Sequence, residues 1–217
     1  MKKNIPTFII NLKKRTDRKC HAFKEFNKKS EFNLQIINAI ENKNGALGLW
    51  STIKHIIENL VSKDESYILI CEDDHQFTKH YSNDFLFSKI VAAKEKDADV
   101  LLGGVSWFSD VLEVSDDLFW VDQFTGLQFA IIFRKFFRNI LEAKFMEQDV
   151  ADRKIADLTP NKFLIYPFIS IQKEFGYSDV TIKNNKEGYV TQIFEKASMV
   201  LNSLNRVKQF YKPNLYE

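Results

Sequence analysis

Apolar and polar positions along the chain sort into a regular succession of short runs. Thr7–Leu12 (TFIINL) is apolar and β-branched and predicts a buried strand. Thr16 predicts a helix N-cap, with Ala22, Phe23 and Phe26 following at helical spacing. Asn33–Ile40 predicts a second strand. Leu49, Trp50, Ile53, Ile56, Ile57 and Leu60 then share one side of a helix over Leu47–Val61. Tyr67–Cys71 predicts a third strand, Asn83–Lys96 a further helix, and Val100–Leu102 a fourth strand ended by Gly103 and Gly104. Strands alternating with helices predict an α/β fold with a mainly parallel central sheet and helices on both faces.

The alternation weakens after Ser106. Phe119–Val121, Gly126–Phe133 and Lys162–Ile171 predict extended chain, Arg134–Lys144 a helix, and Asn184–Gly188 a polar loop. Thr191–Phe210 predicts a long amphipathic helix. No repeat or low-complexity linker interrupts residues 1–217, so a single domain is expected. The chain is 45% hydrophobic, enough for a substantial core. Its 31 basic and 29 acidic residues nearly cancel, which argues against a dedicated nucleic-acid binder. Cys20 and Cys71 make neither a disulfide framework nor a CxxC motif. Ile5–Leu12 is too short and too interrupted for a secretory leader, and no run reaches the ~18–20 apolar residues of a membrane span. A cytoplasmic location is the expectation.

Two chemically loaded stretches sit at predicted strand ends, where open α/β sheets bind ligands. The first is NLKKRTDR, Asn11–Arg18. Arg15 and Arg18 are three apart and share a face on an opening helical turn. Guanidinium forks suit phosphates, and Asp17 suits a ribose hydroxyl or an arginine. The alternative is a charged first turn and nothing more. The second stretch is YILICEDDHQF, Tyr67–Phe77, an apolar strand that ends in three consecutive acids. Three adjacent like charges demand a positive partner, either a cation or a basic side chain from elsewhere. In extended chain Glu72 and Asp74 point to one side and Asp73 to the other. Such an acid-x-acid pair grips a hard divalent cation together with substrate phosphates. A solvated acidic turn or a helix cap is the alternative. His75 and His80 lack zinc-site spacing, which leaves His75 a supporting role. Trp107, Phe108 and Trp120 are candidates for either a sugar-stacking platform or the core.

FIINLKKRTDR, GALGLW and YILICEDD, in that order, resemble glycosyltransferase family 25, the lipopolysaccharide-type glycosyltransferases. TGLQFAIIFRK, Asp152, and Gln172 with Ser178–Asp179 extend the resemblance over roughly residues 7 to 182. It implies a GT-A-like fold and a bacterial enzyme that moves a hexose such as galactose, with inversion. The implied donor is a UDP-linked nucleotide-sugar, the implied cofactor Mn²⁺ or Mg²⁺, and the implied acceptor a saccharide or glycolipid. On this carry-over Asp74 and Glu72 are the metal ligands. Asn11, Arg15, Asp17, Arg18, Gly45, Glu72, Asp73 and Gln172 hold the donor. Asp152 and Asp179 are the candidate catalytic bases, in that order; each also has a plain surface or turn reading. The Thr191–Phe210 helix, flanked by Lys196, Arg206, Lys208 and Lys212, either packs on the domain or touches the inner membrane face. Two departures stand out. Thr52–Ile53 occupy the family's Ser-His place, leaving only His55 nearby, and Gly126–Gln128 replaces a Gly-Thr-His run. A metal-dependent phosphohydrolase and a non-catalytic nucleotide-sugar-binding protein are the rival functions.

Overall fold

A computed structural model describes residues 4–176, 184 and 186–211. Ser178, Asp179 and Lys212 lie outside the described residues. The chain opens with strand β1 (Ile5–Asn11), helix α1 (Thr16–Phe26), β2 (Phe32–Asn38), α2 (Gly45–Asn59) and β3 (Tyr67–Glu72). Next come β4 (His75–Phe77), α3 (Asn83–Glu95), β5 (Val100–Leu102), β6 (Trp107–Phe108), β7 (Val111–Ser115), β8 (Leu118–Val121) and β9 (Phe124–Thr125). The chain then forms β10 (Phe129–Phe133), α4 (Phe137–Glu142), α5 (Ala151–Leu158), β11 (Lys162–Ile165), β12 (Ser170–Gln172) and α6 (Tyr189–Tyr211).

Eight strands form one sheet in the order β2-β1-β3-β10-β5-β11-β8-β7. β2, β1, β3, β5, β11 and β7 run one way; β10 and β8 run against them. The sheet is therefore mainly parallel by direction, with β10 inserted antiparallel between β3 and β5. Each face carries its own core. Ile68 and Ile70 of β3 pack with Phe8, Trp50, Ile53 and Ile56 on the α2, α5 and α6 side. Leu69 and Cys71 pack with Ile9, Ala22, Leu86 and Phe129 on the α1 and α3 side. This two-sided burial is why YILIC is continuously apolar rather than alternating.

The structure moves several expected boundaries. Thr16 is the first helical residue of α1, not its cap; Arg15 precedes it and makes no side-chain cap bond. Helix α2 begins at Gly45, two residues before Leu47, because the Asn44 side chain accepts from the amides of Ala46 and Leu47. The helix expected over Arg134–Lys144 is a 3₁₀ turn at Arg134–Phe136 followed by the short α4. The extended stretch Lys162–Ile171 is two strands in different sheets, β11 and β12, separated by a segment containing Pro167, which has no amide hydrogen for a ladder. β8 matches the expected extended stretch Phe119–Val121, whereas its hairpin partner β7 is an element the periodicity did not predict.

Candidate active site

β1 and β3 are parallel, with Ile10 beside Glu72, so their carboxyl ends reach the same edge of the sheet. β10 runs the other way, and its start brings Gly126–Gln128 to that edge. A cleft of about 520 Å³ opens there. Of the residues singled out in the sequence, it is lined by Arg18, Gly45, Glu72, Asp73, Asp74, Asp152 and Gln172. Residues separated by well over a hundred positions converge on one cavity.

The acidic turn is held from four directions. Asn11, the last residue of β1, donates from Nδ2 to Asp73 Oδ2 at 2.7 Å and to the Arg15 carbonyl at 3.1 Å. Arg18 Nη1 reaches Asp73 Oδ1 at 3.1 Å and Asp74 Oδ2 at 3.2 Å. The Lys173 amide donates to the Asp74 carbonyl at 2.8 Å. His21 Nε2 meets the His75 carbonyl at 2.8 Å. A basic side chain of α1 thus supplies the positive partner that three acids require. The chain turns at Asp73–Asp74 instead of continuing extended, so the expected alternation of the three carboxylates gives way to a turn facing Arg18.

One arginine does not balance the turn. Burial pushes the Asp74 carboxyl up to about 7, with Arg18 pulling it down and Asp73 pushing it up. Glu72 is raised well above the carboxylate range by burial, then by Asp74, Asp73 and Asp152. Asp73 is raised by burial against the opposing pull of Arg18 and Asn11. Asp74 Oδ1 is buried and has no hydrogen-bond partner among the described residues. Buried carboxylates with spare oxygen are hard-cation ligands, and one or two of them suffice when a bound diphosphate and water complete the shell. No group of three His, Cys, Asp or Glu side chains with metal-holding geometry occurs among the described residues. The residues present therefore fit a cation shared with a substrate diphosphate, not a closed protein cage.

Asp152 lies on the first turn of α5 and faces the cleft. Its Oδ2 accepts from the Gly126 amide at 2.9 Å and its Oδ1 from the Arg153 amide at 2.8 Å. Its basic neighbours along α5 are engaged elsewhere: Lys154 binds Asp149 at 2.8 Å, and the Arg153 guanidinium stacks on Trp107 at 4.0 Å. Burial raises the Asp152 carboxyl, against the amides of Gly126 and Arg153. Asn11 is buried beneath the turn and acts through Asp73. Arg15 and Asp17 do not line the cleft; the turn of α1 carries only Arg18 into it.

His75 is a core residue. Its Nδ1 meets Ser170 Oγ at 2.7 Å, and its ring sits against Phe26, Phe77 and Phe129. Through the β4–β12 pairing, His75 stands opposite Gln172 and delivers that residue to the cleft. His55 is exposed on α2 and pairs with Asn59, so it does not take the place of a missing cleft histidine. Thr52 Oγ1 donates to the Gly48 carbonyl at 2.7 Å and accepts from the Ile40 amide at 2.8 Å, which fixes the loop after β2. Trp120 donates to the Pro160 carbonyl at 2.7 Å. Lys14, Lys43, Ser106, Thr125, Arg153 and Tyr189 also line the cleft. Lys14 lies inside the NLKKRTDR stretch and Thr125 opens TGLQFAIIFRK; the others carry no local signal, because tertiary folding alone brings them there.

No family model and no curated protein sequence matches the chain. Solved structures do resemble it. A197 from STIV superposes with a TM-score of 0.53 at 15% identity, covering 78% of this chain and 85% of that one. Apo UDP-glucose pyrophosphorylase superposes with a TM-score of 0.49 at 7% identity, covering 92% and 82%. The complex of UDP-glucose pyrophosphorylase with UDP-glucose gives 0.48 at 10% identity, covering 91% and 81%. At these identities the likeness is one of fold.

Proposed function

We propose that the protein is a metal-dependent glycosyltransferase that uses a nucleotide-sugar donor. The architecture is α/β and GT-A-like, but a fold alone assigns no chemistry. The observation that carries the reading is the Glu72–Asp73–Asp74 turn, set against Arg18 at the carboxyl edge of the sheet and opening on a cleft of about 520 Å³. That volume suits a nucleoside diphosphate-sugar.

On this reading Asp74 and Glu72 hold Mn²⁺ or Mg²⁺, which supplies Lewis-acid neutralisation of the departing diphosphate. Arg18 reaches the same diphosphate. Asn11 keeps Asp73 in place, and Gln172 closes the wall beside the turn. Asp152 receives the acceptor proton: the acceptor oxygen bonds to the anomeric carbon as that carbon's bond to the diphosphate breaks, and the electron pair leaves with the diphosphate. A raised carboxyl facing the cleft suits that role. Attack from the face opposite the leaving group inverts the anomeric centre. UDP is the proposed nucleotide, a hexose such as galactose the proposed sugar, and a saccharide or glycolipid of the bacterial cell surface the proposed acceptor. No helix among the described residues is long and apolar enough to cross a membrane. The exposed Met199, Val200, Val207 and Phe210 of α6 fit peripheral contact with a lipid surface where such acceptors reside.

A second reading, a nucleotide-sugar-binding protein without transfer, has one observation in its favour: both Asp152 oxygens already accept backbone amides. Release of UDP from UDP-hexoses, measured with and without Mn²⁺, separates the two. Asp74→Asn is expected to lower metal-dependent turnover at least about 100-fold while the fold survives. Asp152→Asn is expected to lower transfer far more than UDP affinity; an equal loss of both removes Asp152 as base. UDP binding with no turnover on any hexose donor favours the second reading.

A further inference from the structure

We propose that Arg18 is an exchangeable counterion for the acidic turn: it occupies Asp73 and Asp74 until a nucleoside diphosphate draws its guanidinium away, and Asp74 is then released to the divalent cation. The inference rests on the function proposed above and adds an order of events and a named switch residue.

The contacts make Arg18 suited to exchange. At the acidic turn Nη1 is shared between two carboxylates at 3.1 and 3.2 Å, so neither Asp73 nor Asp74 receives the parallel two-nitrogen fork in which arginine grips an oxyanion best. A diphosphate offers that fork. The guanidinium also lies over the Phe175 ring, 4.9 Å from its centroid. Ring stacking is tolerant of in-plane sliding, so Phe175 is a platform on which the group shifts without losing its apolar support.

The two carboxylates are not equivalent once Arg18 leaves. Asp73 keeps the Asn11 amide at 2.7 Å on its other oxygen. Among the described residues Asp74 has no side-chain partner except Arg18, and its Oδ1 is already buried without a hydrogen bond. Of these two carboxylates, departure of the guanidinium therefore leaves Asp74 as the uncompensated one. Such a group is costly to leave bare, and a hard cation is the ligand that relieves it. The guanidinium sits on Asp74 Oδ2 and a cation would take Oδ1 of the same carboxylate, so the two positive occupants repel and compete.

Calorimetric titration of Mn²⁺ into the purified protein, with and without saturating UDP, tests the exchange. Arg18→Gln is expected to bind Mn²⁺ in the absence of nucleotide about 10-fold or more tighter than wild type, within the ordinary range of coupling between sites. Its enhancement of Mn²⁺ binding by UDP is expected to shrink correspondingly. Arg18→Lys keeps the charge and is expected to stay near wild type without nucleotide. A purely structural role predicts the opposite sign, because a loosened turn binds Mn²⁺ more weakly. If wild type binds Mn²⁺ with UDP but Arg18→Gln binds nucleotide-free Mn²⁺ no tighter, the exchange is overturned and the metal reading stands. If wild type binds Mn²⁺ neither alone nor with UDP, the metal reading falls and the exchange falls with it. Thermal melts of the variants confirm that they fold, and Arg18→Met, equally neutral and with the same expected outcome, carries the test should Arg18→Gln not fold.

Discussion

Gly48 shows how much a single missing methyl group can decide. It sits inside α2, where an added Cβ would lie 2.5 Å from the Ile40 carbonyl oxygen. That oxygen belongs to the loop that lines the cleft beside Gly45, and Thr52 pins the same loop from one turn further along. Gly48→Ala is expected to destabilise the fold by about 1–3 kcal/mol, read as a fall in Tm of several degrees. Gly45 and Gly48 therefore differ: the first lines the cleft, the second permits close packing. Sequence reading sees both as the same residue type. Likewise the spacing of Arg15 and Arg18 predicts a shared face, yet only Arg18 reaches the acids, because Arg15 immediately precedes α1 and its carbonyl is taken by Asn11. Motif residues were readable as a set; their division of labour depends on where α1 begins, which no spacing encodes.

Among elements, those carrying their own period are the ones legible without coordinates. β1, α2, β3 and α3 each show a run or a stripe, and their positions agree with the structure to within a few residues. The N-terminus of α2 is the instructive exception. Asn44 fixes it through two amides and also donates from Nδ2 to the Glu147 carbonyl at 2.9 Å, which ties the helix start to the loop before α5. Asn44→Ala is expected to cost about 1 kcal/mol, measured by urea unfolding. The β4–β12 pair is legible only in coordinates, since its registration depends on His75 and Ser170 meeting across 95 residues. Burial depresses both His21 and His75 below the ordinary imidazole value. A histidine whose folded value is lowered contributes full stability above about pH 6.5, and that stability is lost as pH falls below it. The raised Asp74 carboxyl, at about 7, acts oppositely and favours the fold at pH 5.5 over 7.5, so the readout is a difference between variants: on going from pH 7.5 to 5.5, thermal melts are expected to show a more favourable change in Tm for His75→Gln than for wild type.

At the scale of the whole molecule, β10 decides the topology. The apolar stretch after Gly126 reads as extended chain, but nothing local says that Phe129–Phe133 runs antiparallel between β3 and β5. That placement is also what puts Gly126 within reach of Asp152, so half of the candidate site is a consequence of long-range pairing. The other half, the turn and Arg18, comes from two local charged motifs, one at the β1–α1 junction and one at the end of β3. This is why residue pattern alone reached the acidic half, whereas Asp152 entered only through the family resemblance.

The inserted strand has a consequence during synthesis. Until residue 133 has left the ribosome, the flank of β3 that β10 will cover presents bare backbone and fully apolar side chains to its surroundings. A nascent chain in that condition is a template for mispairing with its own copies. Fragments ending shortly before Phe129 are expected to sediment as aggregates in a pelleting assay, whereas the full chain stays in the supernatant.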